Sequence, residues 1–322
     1  MRVGRFAGVT NTGRRRRHNE DAFVCEPPLF AVADGMGGPR AGEVASRLAA
    51  TAVKADEASG TGAERVVALI HEANRRVYQR SSEDADVSGM GTTMIVALVE
   101  DAGVTFGHVG DSRAYLARGG ALEQLTEDHS LVAELVRTGK LSPEEAEHHP
   151  QRSVITRALG TDPDVDVDTF TVATQAGDIF MICSDGLTTM IDDETIGRVL
   201  QEREGDLDDA AKELVRLANK AGGEDNITVV AFEMSDEESA APSAIEETRP
   251  MPAVSEPVKD EEDTLDESDA VPAVDTIVVP PSEAAKFKSA APPPTQRDTW
   301  RVLLLLLLIA AVVAAAIWVL AR

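Results

Sequence analysis

The sequence predicts an α+β domain, because strand-like runs follow one another without helices between them and the helical stretches come in separate groups. Composition changes sharply near Ser235 and again near Trp300, which bounds that domain. Residues 1–234 read as the folded unit, 235–300 as a disordered linker and 301–322 as a single apolar helix.

Residues 5–10 and 22–25 are strand-like, and the apolar run 29–33 leads into the turn Asp34-Gly35-Met36-Gly37-Gly38. Two helical stretches follow at 41–55 and 63–82, the second with Val66, Leu69, Ile70, Ala73 and Val77 on one face. Strand-like runs at 92–99, 105–109 and 114–117 are parted only by short polar breaks, which argues antiparallel hairpins rather than βαβ units. Asp128 is placed to cap a helix through Leu135, and Ser142-Pro143-Glu144-Glu145 starts another, with Pro at the first helical position. Strand-like runs at 178–183 and 227–232 bracket helical stretches around 194–201 and 207–221. Fixed-period repeats are not visible.

A formal charge of −25 argues against a nucleic-acid binder, since phosphate backbones are held by clustered Lys and Arg. Part of that charge lies in the linker, in runs such as Asp260-Glu261-Glu262-Asp263, which together with Pro280-Pro281 and Pro292-Pro293-Pro294 keep a chain solvated and extended. Cys25 and Cys183 are the only cysteines, each among apolar neighbours, and read as small buried hydrophobes in a reducing cytosol.

The N-terminal residues carry no apolar stretch with a cleavage site, so a secretory signal is not expected. At the other end, residues 302–320 are an uninterrupted apolar run of 19 residues. As a helix it spans about 28 Å, the hydrocarbon thickness of a bilayer, and is expected to cross a membrane once. Lys286, Lys288, Arg297 and Arg301 precede it and Arg322 alone follows, which places the N-terminal side in the cytoplasm, with Trp300 and Trp318 at the two interfaces.

Four aspartates abut apolar strand-like runs: Asp34 after residues 29–33, Asp111 after His108-Val109-Gly110, Asp185 after residues 180–184, and Asp225 before residues 226–230. A charge in such a place is costly unless paired or bound to a cation. Each one alone could cap a turn or a helix. Together they form an oxygen-only donor set without His or Cys, which suits Mg²⁺ or Mn²⁺ rather than Zn²⁺.

The segments that carry these residues are RRRRHNEDAF from Arg14, ADGMGGPRAGEVAS from Ala33, SGMGTTMIVAL from Ser88, HVGDSRAYL from His108, LTEDHSLV from Leu125, ITRALG from Ile155, SDGL from Ser184 and EDNITVV from Glu224. In this order they resemble the metal-dependent protein phosphatases of type 2C, in their bacterial form. The resemblance covers residues 6–232 and implies a four-layer αββα sandwich, two antiparallel sheets face to face with helices outside and metals at one edge. It implies a protein serine/threonine phosphatase acting by direct attack of a metal-bridging hydroxide. Asp34 would bridge two core ions, the Gly35 carbonyl would complete one sphere, and Asp185 and Asp225 would hold the other ion. Asp111 with Asp185 resembles the site of a third, weaker ion. Glu20 and Asp21 would act close to the ions through their waters, and Arg16 would receive the substrate phosphate in a fork that Lys could not offer. The expected partners are phosphorylated proteins, including a serine/threonine kinase.

Met36 stands where many eukaryotic relatives carry a histidine, which leaves the leaving-group acid open. For His129, His148 and His149 a surface or capping role is the expectation. Residues 138–160 are expected to form a mobile flap with little core, governing access. A catalytically silent, phospho-recognising adaptor on the same fold would have lost metal carboxylates, and none is lost.

Overall fold

The computed structural model describes residues 1–236 apart from 38–40, 56–57, 148 and 204, together with the backbone of Ile277 and Val278. The rest of the expected linker and the expected membrane helix lie outside the described residues. Among the described residues no helix is long and apolar enough to cross a membrane.

In chain order the strands are β1 Arg2–Asn11, β2 Asp21–Glu26, β3 Leu29–Met36, β4 Gly91–Thr92, β5 Met94–Glu100, β6 Gly103–Val109, β7 Arg113–Arg118, β8 Ala121–Gln124, β9 Val154–Ile155, β10 Asp168–Val172, β11 Ile179–Cys183, β12 Ile227–Ser235 and β13 Ile277–Val278. The helices are α1 Ala41–Ala55, α2 Gly62–Glu83, α3 Leu131–Arg137, α4 Pro143–Glu147, α5 Asp185–Thr188, α6 Asp193–Glu202 and α7 Leu207–Ala221. One antiparallel sheet runs β1-β12-β11-β7-β8 and the other β10-β6-β5-β3-β2, with β4 paired to β3.

Strand alternation sorts side chains into three apolar layers. On β12, Val229 and Ala231 join residues of α6 and α7, whereas Val230 and Phe232 turn inward to meet Phe30, Val32 and Phe106 of the other sheet. Ala31, Ala33 and Val96 pack outward on α1 and α2. The inner layer is fastened by aromatic stacking of Phe30 on Phe232, ring centres 4.1 Å apart, and of Phe180 on Phe232 at 5.4 Å. Each fully buried ring stabilises the fold by about 2 kcal/mol through apolar burial. The expected α+β class and its two face-to-face sheets between helices are what the chain forms.

Several elements differ from the sequence reading. β3 does not stop at Ala33 but runs on through Asp34 to Met36, because Gly35 and Met36 pair with Thr92 and Gly91 of β4. β8 and β10 were not anticipated; both border their sheets and alternate exposed with half-buried positions, so neither carries a long apolar run. Ser130, not Asp128, caps α3 by accepting from the Ala133 N–H at 3.2 Å. Asp128 instead holds the Arg113 guanidinium at 2.7 Å. Inside the expected linker, β13 pairs in parallel with β9. Cys183 is buried and Cys25 half-buried, and burial pushes both thiols up to about 12.

Candidate metal centre

Five strands deliver acidic side chains to one edge of the sandwich. Pairing of β2 with β3 sets Asp21 opposite Asp34. β11 pairs with β12 on one side and β7 on the other, which brings Asp185, Asp225 and Asp111 to the same end. The Asp34 backbone is held on both sides: its N–H donates to Thr93 Oγ1 at 3.0 Å and its carbonyl accepts from the Thr93 N–H at 2.9 Å. Thr93 Oγ1 also lies 2.8 Å from Ser112 Oγ, tying β3 to the turn that carries Asp111.

Gly35 permits the closest approach in the site. A Cβ there would overlap the Gly42 carbonyl at the start of α1 and the Glu20 carbonyl. Its N–H donates to that Glu20 oxygen at 3.1 Å, while the Glu20 N–H donates to Asn226 Oδ1 at 2.7 Å. Glu20 therefore joins the two sheets through its backbone, beside Asp225.

Asp34, Asp111, Asp185 and Asp225 are half-buried, so they line an opening rather than a sealed core. Asp21 is buried beneath them at 8% exposure. Its Oδ2 accepts from Ser184 Oγ at 2.9 Å and Thr228 Oγ1 at 2.6 Å, but its buried Oδ1 has no hydrogen-bond partner. Burial, reinforced by Asp225 and Asp185, raises the Asp21 carboxyl to about 7. Burial and then Asp225 raise Asp185 to about 6, although a hydrogen bond with Asp34 pulls it partly back. Asp34 and Asp111 are pushed well above the usual carboxylate range, first by burial and then by their acidic neighbours. Carboxyls that raise one another in this way are a place where a cation would be stabilised.

The Arg16 guanidinium enters the cluster. Arg16 Nη2 donates to Asp225 Oδ2 at 2.7 Å, with a side chain only 21% exposed, whereas Arg14, Arg15 and Arg17 are exposed. The donor set fits hard divalent ions: carboxylate and carbonyl oxygens only, with one buried oxygen in want of a partner. No three Asp, Glu, His or Cys side chains among the described residues close round one point.

Sequence reasoning singled out Asp21, Asp34, Asp111, Asp185 and Asp225 but not the side chains that hold them. Asn226 anchors the loop before β2 by donating from Nδ2 to the Thr12 carbonyl at 2.8 Å and the His18 carbonyl at 3.0 Å. Asn226, Ser184, Thr228 and Thr93 are polar residues within or beside apolar runs, and that is the one signal that could have marked them. Met36 is buried against Ile155 and Ala158, a packing contact. His129, expected at the surface or as a cap, is buried at 8% exposure. His148 lies outside the described residues, and His149 Nδ1 accepts from the Gln151 N–H at 3.2 Å. The expected flap has more core than its composition suggested: Ile155, Ala158 and Leu159 are buried, and Leu159 exchanges both backbone hydrogen bonds with Thr92 at 2.9 and 3.1 Å. The polar part is α4, closed by a reciprocal cap in which Ser142 Oγ accepts from the Glu145 N–H and Glu145 Oε2 from the Ser142 N–H.

A half-open edge of mutually destabilised carboxylates with an arginine held at its lip defines a metalloenzyme class that works on anionic, phosphate-bearing substrates. Residues 12–228 match the family model described as protein phosphatase 2C. A serine/threonine phosphatase from Listeria monocytogenes is 44% identical over 236 residues, 70% of this chain and 93% of that protein. The serine/threonine protein phosphatase PstP of Mycobacterium tuberculosis is 40% identical over 237 residues, 73% of this chain and 46% of that protein. Among solved structures, the PstP catalytic domain in complex with two manganese ions superposes with a TM-score of 0.68 at 37% identity, covering 73% of this chain and 100% of that one. The chain belongs to the protein phosphatase 2C family and is a protein serine/threonine phosphatase of the bacterial type. The Listeria relative consists almost wholly of the matched region, and the PstP structure is of its catalytic domain.

Proposed function

We propose that Asp34, Asp185 and Asp225, with the Gly35 carbonyl, hold two core Mn²⁺ or Mg²⁺ ions, and that Asp111 with Asp185 holds a third, weaker one. When bound, such ions neutralise the charge of a phosphomonoester and acidify the water that attacks it. Arg16 captures the phosphate oxygens. Its ion pair with Asp225 keeps the guanidinium at the lip, so little side-chain freedom is lost when substrate arrives. Asp21, held through one oxygen by Ser184 and Thr228 and paired in register with Asp34, acts close to the ions through their waters. Glu20 sets the spacing of the two sheets at this edge.

The observation that carries the reading is the set of strand-end carboxyls pushed upward first by burial and then by their acidic neighbours, with Arg16 paired to Asp225 among them. The substrates are proteins carrying phosphoserine or phosphothreonine, including a serine/threonine kinase that the enzyme opposes. We further propose that residues 302–320 cross the cell membrane once, with residues 1–234 on the cytoplasmic side and 235–300 as the tether. That part is supported by the apolar run and the flanking Lys and Arg. The test is hydrolysis of a phosphothreonine peptide by the full chain with Mn²⁺, with Mg²⁺ and with excess chelator. Turnover with either ion and none with chelator is expected; full turnover in chelator would sink the mechanism.

A further inference from the structure

The turn that presents Asp111 depends on a glycine. Gly110 has φ +113°, a conformation that disfavours a side chain, and a Cβ there would press into Thr93. Such a turn needs a fastening, and the fastening is His129. The Gly110 N–H donates to His129 Nδ1 at 3.0 Å, and the His129 N–H donates to the Gly110 carbonyl at 2.8 Å. The His129 carbonyl accepts from the Thr156 N–H at 2.8 Å, and the next residue, Ser130, bridges to Ile155. Because Nδ1 accepts, the ring proton sits on Nε2, which is 3.1 Å from Asp168 Oδ2. Arg157 Nη1 holds the other oxygen of Asp168 at 2.5 Å. The buried ring stacks on His108 with centres 4.6 Å apart. Every polar group of His129 is thus engaged, half of them on the Asp111 turn and the rest on the segment around residues 155–168.

We propose that His129 is a positioning residue for Asp111: its imidazole, locked in one tautomer by Asp168, fixes the Gly110 turn and couples the weakest ion site to the base of the flap. The inference rests on the metal assignment proposed above, and the experiment separates the two. Asparagine places its Oδ1 where histidine has Nδ1, and glutamine places its Nε2 where histidine has Nε2. His129→Asn therefore retains the acceptor for Gly110 and loses Asp168, while His129→Gln does the reverse.

In the full chain without metal, amide exchange at Gly110 is read by NMR. Protection in His129→Asn should stay within about threefold of wild type, and in His129→Gln it should fall by about tenfold or more, as expected when a buried amide loses its acceptor. In calorimetric Mn²⁺ titration, the weakest step should weaken by about tenfold in His129→Gln, as expected when a residue behind a ligand is lost, with the tighter steps unmoved. Should His129→Gln fail to fold, Asp168→Ala releases the tautomer lock and should raise Gly110 exchange several-fold. Equal behaviour of the two isosteres, retained Gly110 protection in His129→Gln, or unchanged exchange in Asp168→Ala would overturn the role. Absence of any Mn²⁺ binding by the wild-type chain would instead overturn the metal assignment.

Discussion

β11 is a five-residue strand with an aspartate at each end, Asp178 before it and Asp185 after it. Asp178 is 1% exposed and fully answered: the Arg118 fork reaches its oxygens at 2.7 and 2.6 Å, and the Gln175 N–H donates at 2.7 Å. Asp185 looks across at Asp34, Asp111 and Asp225, and burial with Asp225 lifts it to about 6. One sheet therefore treats the same side chain in two ways. At the distal end the charge is cancelled within the protein, which is what stability alone selects. At the site end burial and the neighbouring Asp225 outweigh the nearby arginines, and the fold carries the cost as a raised pKa.

The largest effect that tests this contrast is loss of function at the site end. Asp185→Asn should lower kcat/KM on a phosphothreonine peptide by on the order of a thousandfold, about 4 kcal/mol of transition-state stabilisation, while the fold survives. A variant with near wild-type turnover would remove Asp185 from the ion site. At the distal end the loss should fall on stability: Asp178→Ala should cost about 2 kcal/mol by urea unfolding, with kcat/KM per folded molecule unmoved. If that variant lost activity instead, the two ends would not be separate.

Arg16→Ala should raise KM for phosphopeptide by about tenfold with Mn²⁺ affinity little changed, as expected for loss of a charge-assisted phosphate contact worth about 1.4 kcal/mol. Arg15→Ala, altering an exposed neighbour, serves as the control. Weakened Mn²⁺ binding with an unmoved KM would make Arg16 a support for Asp225 rather than a phosphate ligand.

The raised carboxyls also set the pH dependence of the metal-free protein. Asp21, near 3.8 in an unfolded chain, is raised to about 7, and Asp185 to about 6. The folded state binds these protons more tightly, so their contribution is present at acidic pH and is lost as pH rises through about 6 and about 7. In chelator, Tm should fall across that interval; saturating Mn²⁺ or Asp21→Asn should flatten the fall. A Tm that rises with pH in chelator would show that the cluster is not protonated in the folded state. The smallest effect belongs to the tether: a chain ending at Ser235 should keep its turnover on soluble phosphopeptide and leave the membrane fraction. A change in rate of more than severalfold would mean that the tail regulates the site.

Local pattern was enough for the helices at 41–55 and 207–221, whose bounds coincide with α1 and α7. It was enough for the four strand-end aspartates too, because a carboxylate against an apolar run has no local reason to be there. Asp21 was harder to weigh from sequence, since its hydroxyl partners Ser184 and Thr228 stand 163 and 207 residues away. The same holds for the Asn226 bond to Glu20 across 206 residues and the His129 bond to Asp168 across 39. The edge strands β8 and β10 were missed because partial exposure leaves no long apolar run to detect. Periodicity and residue chemistry act between near neighbours, and so the sequence by itself determined most of the helices and interior strands, the aspartates beside apolar runs and the apolar run at 302–320. Which oxygen is left without a partner, which arginine of the four turns inward and which histidine holds the Asp111 turn depend on strand register and sheet packing. Only the tertiary structure decided those, because only folding brings groups from distant parts of the chain within hydrogen-bonding distance.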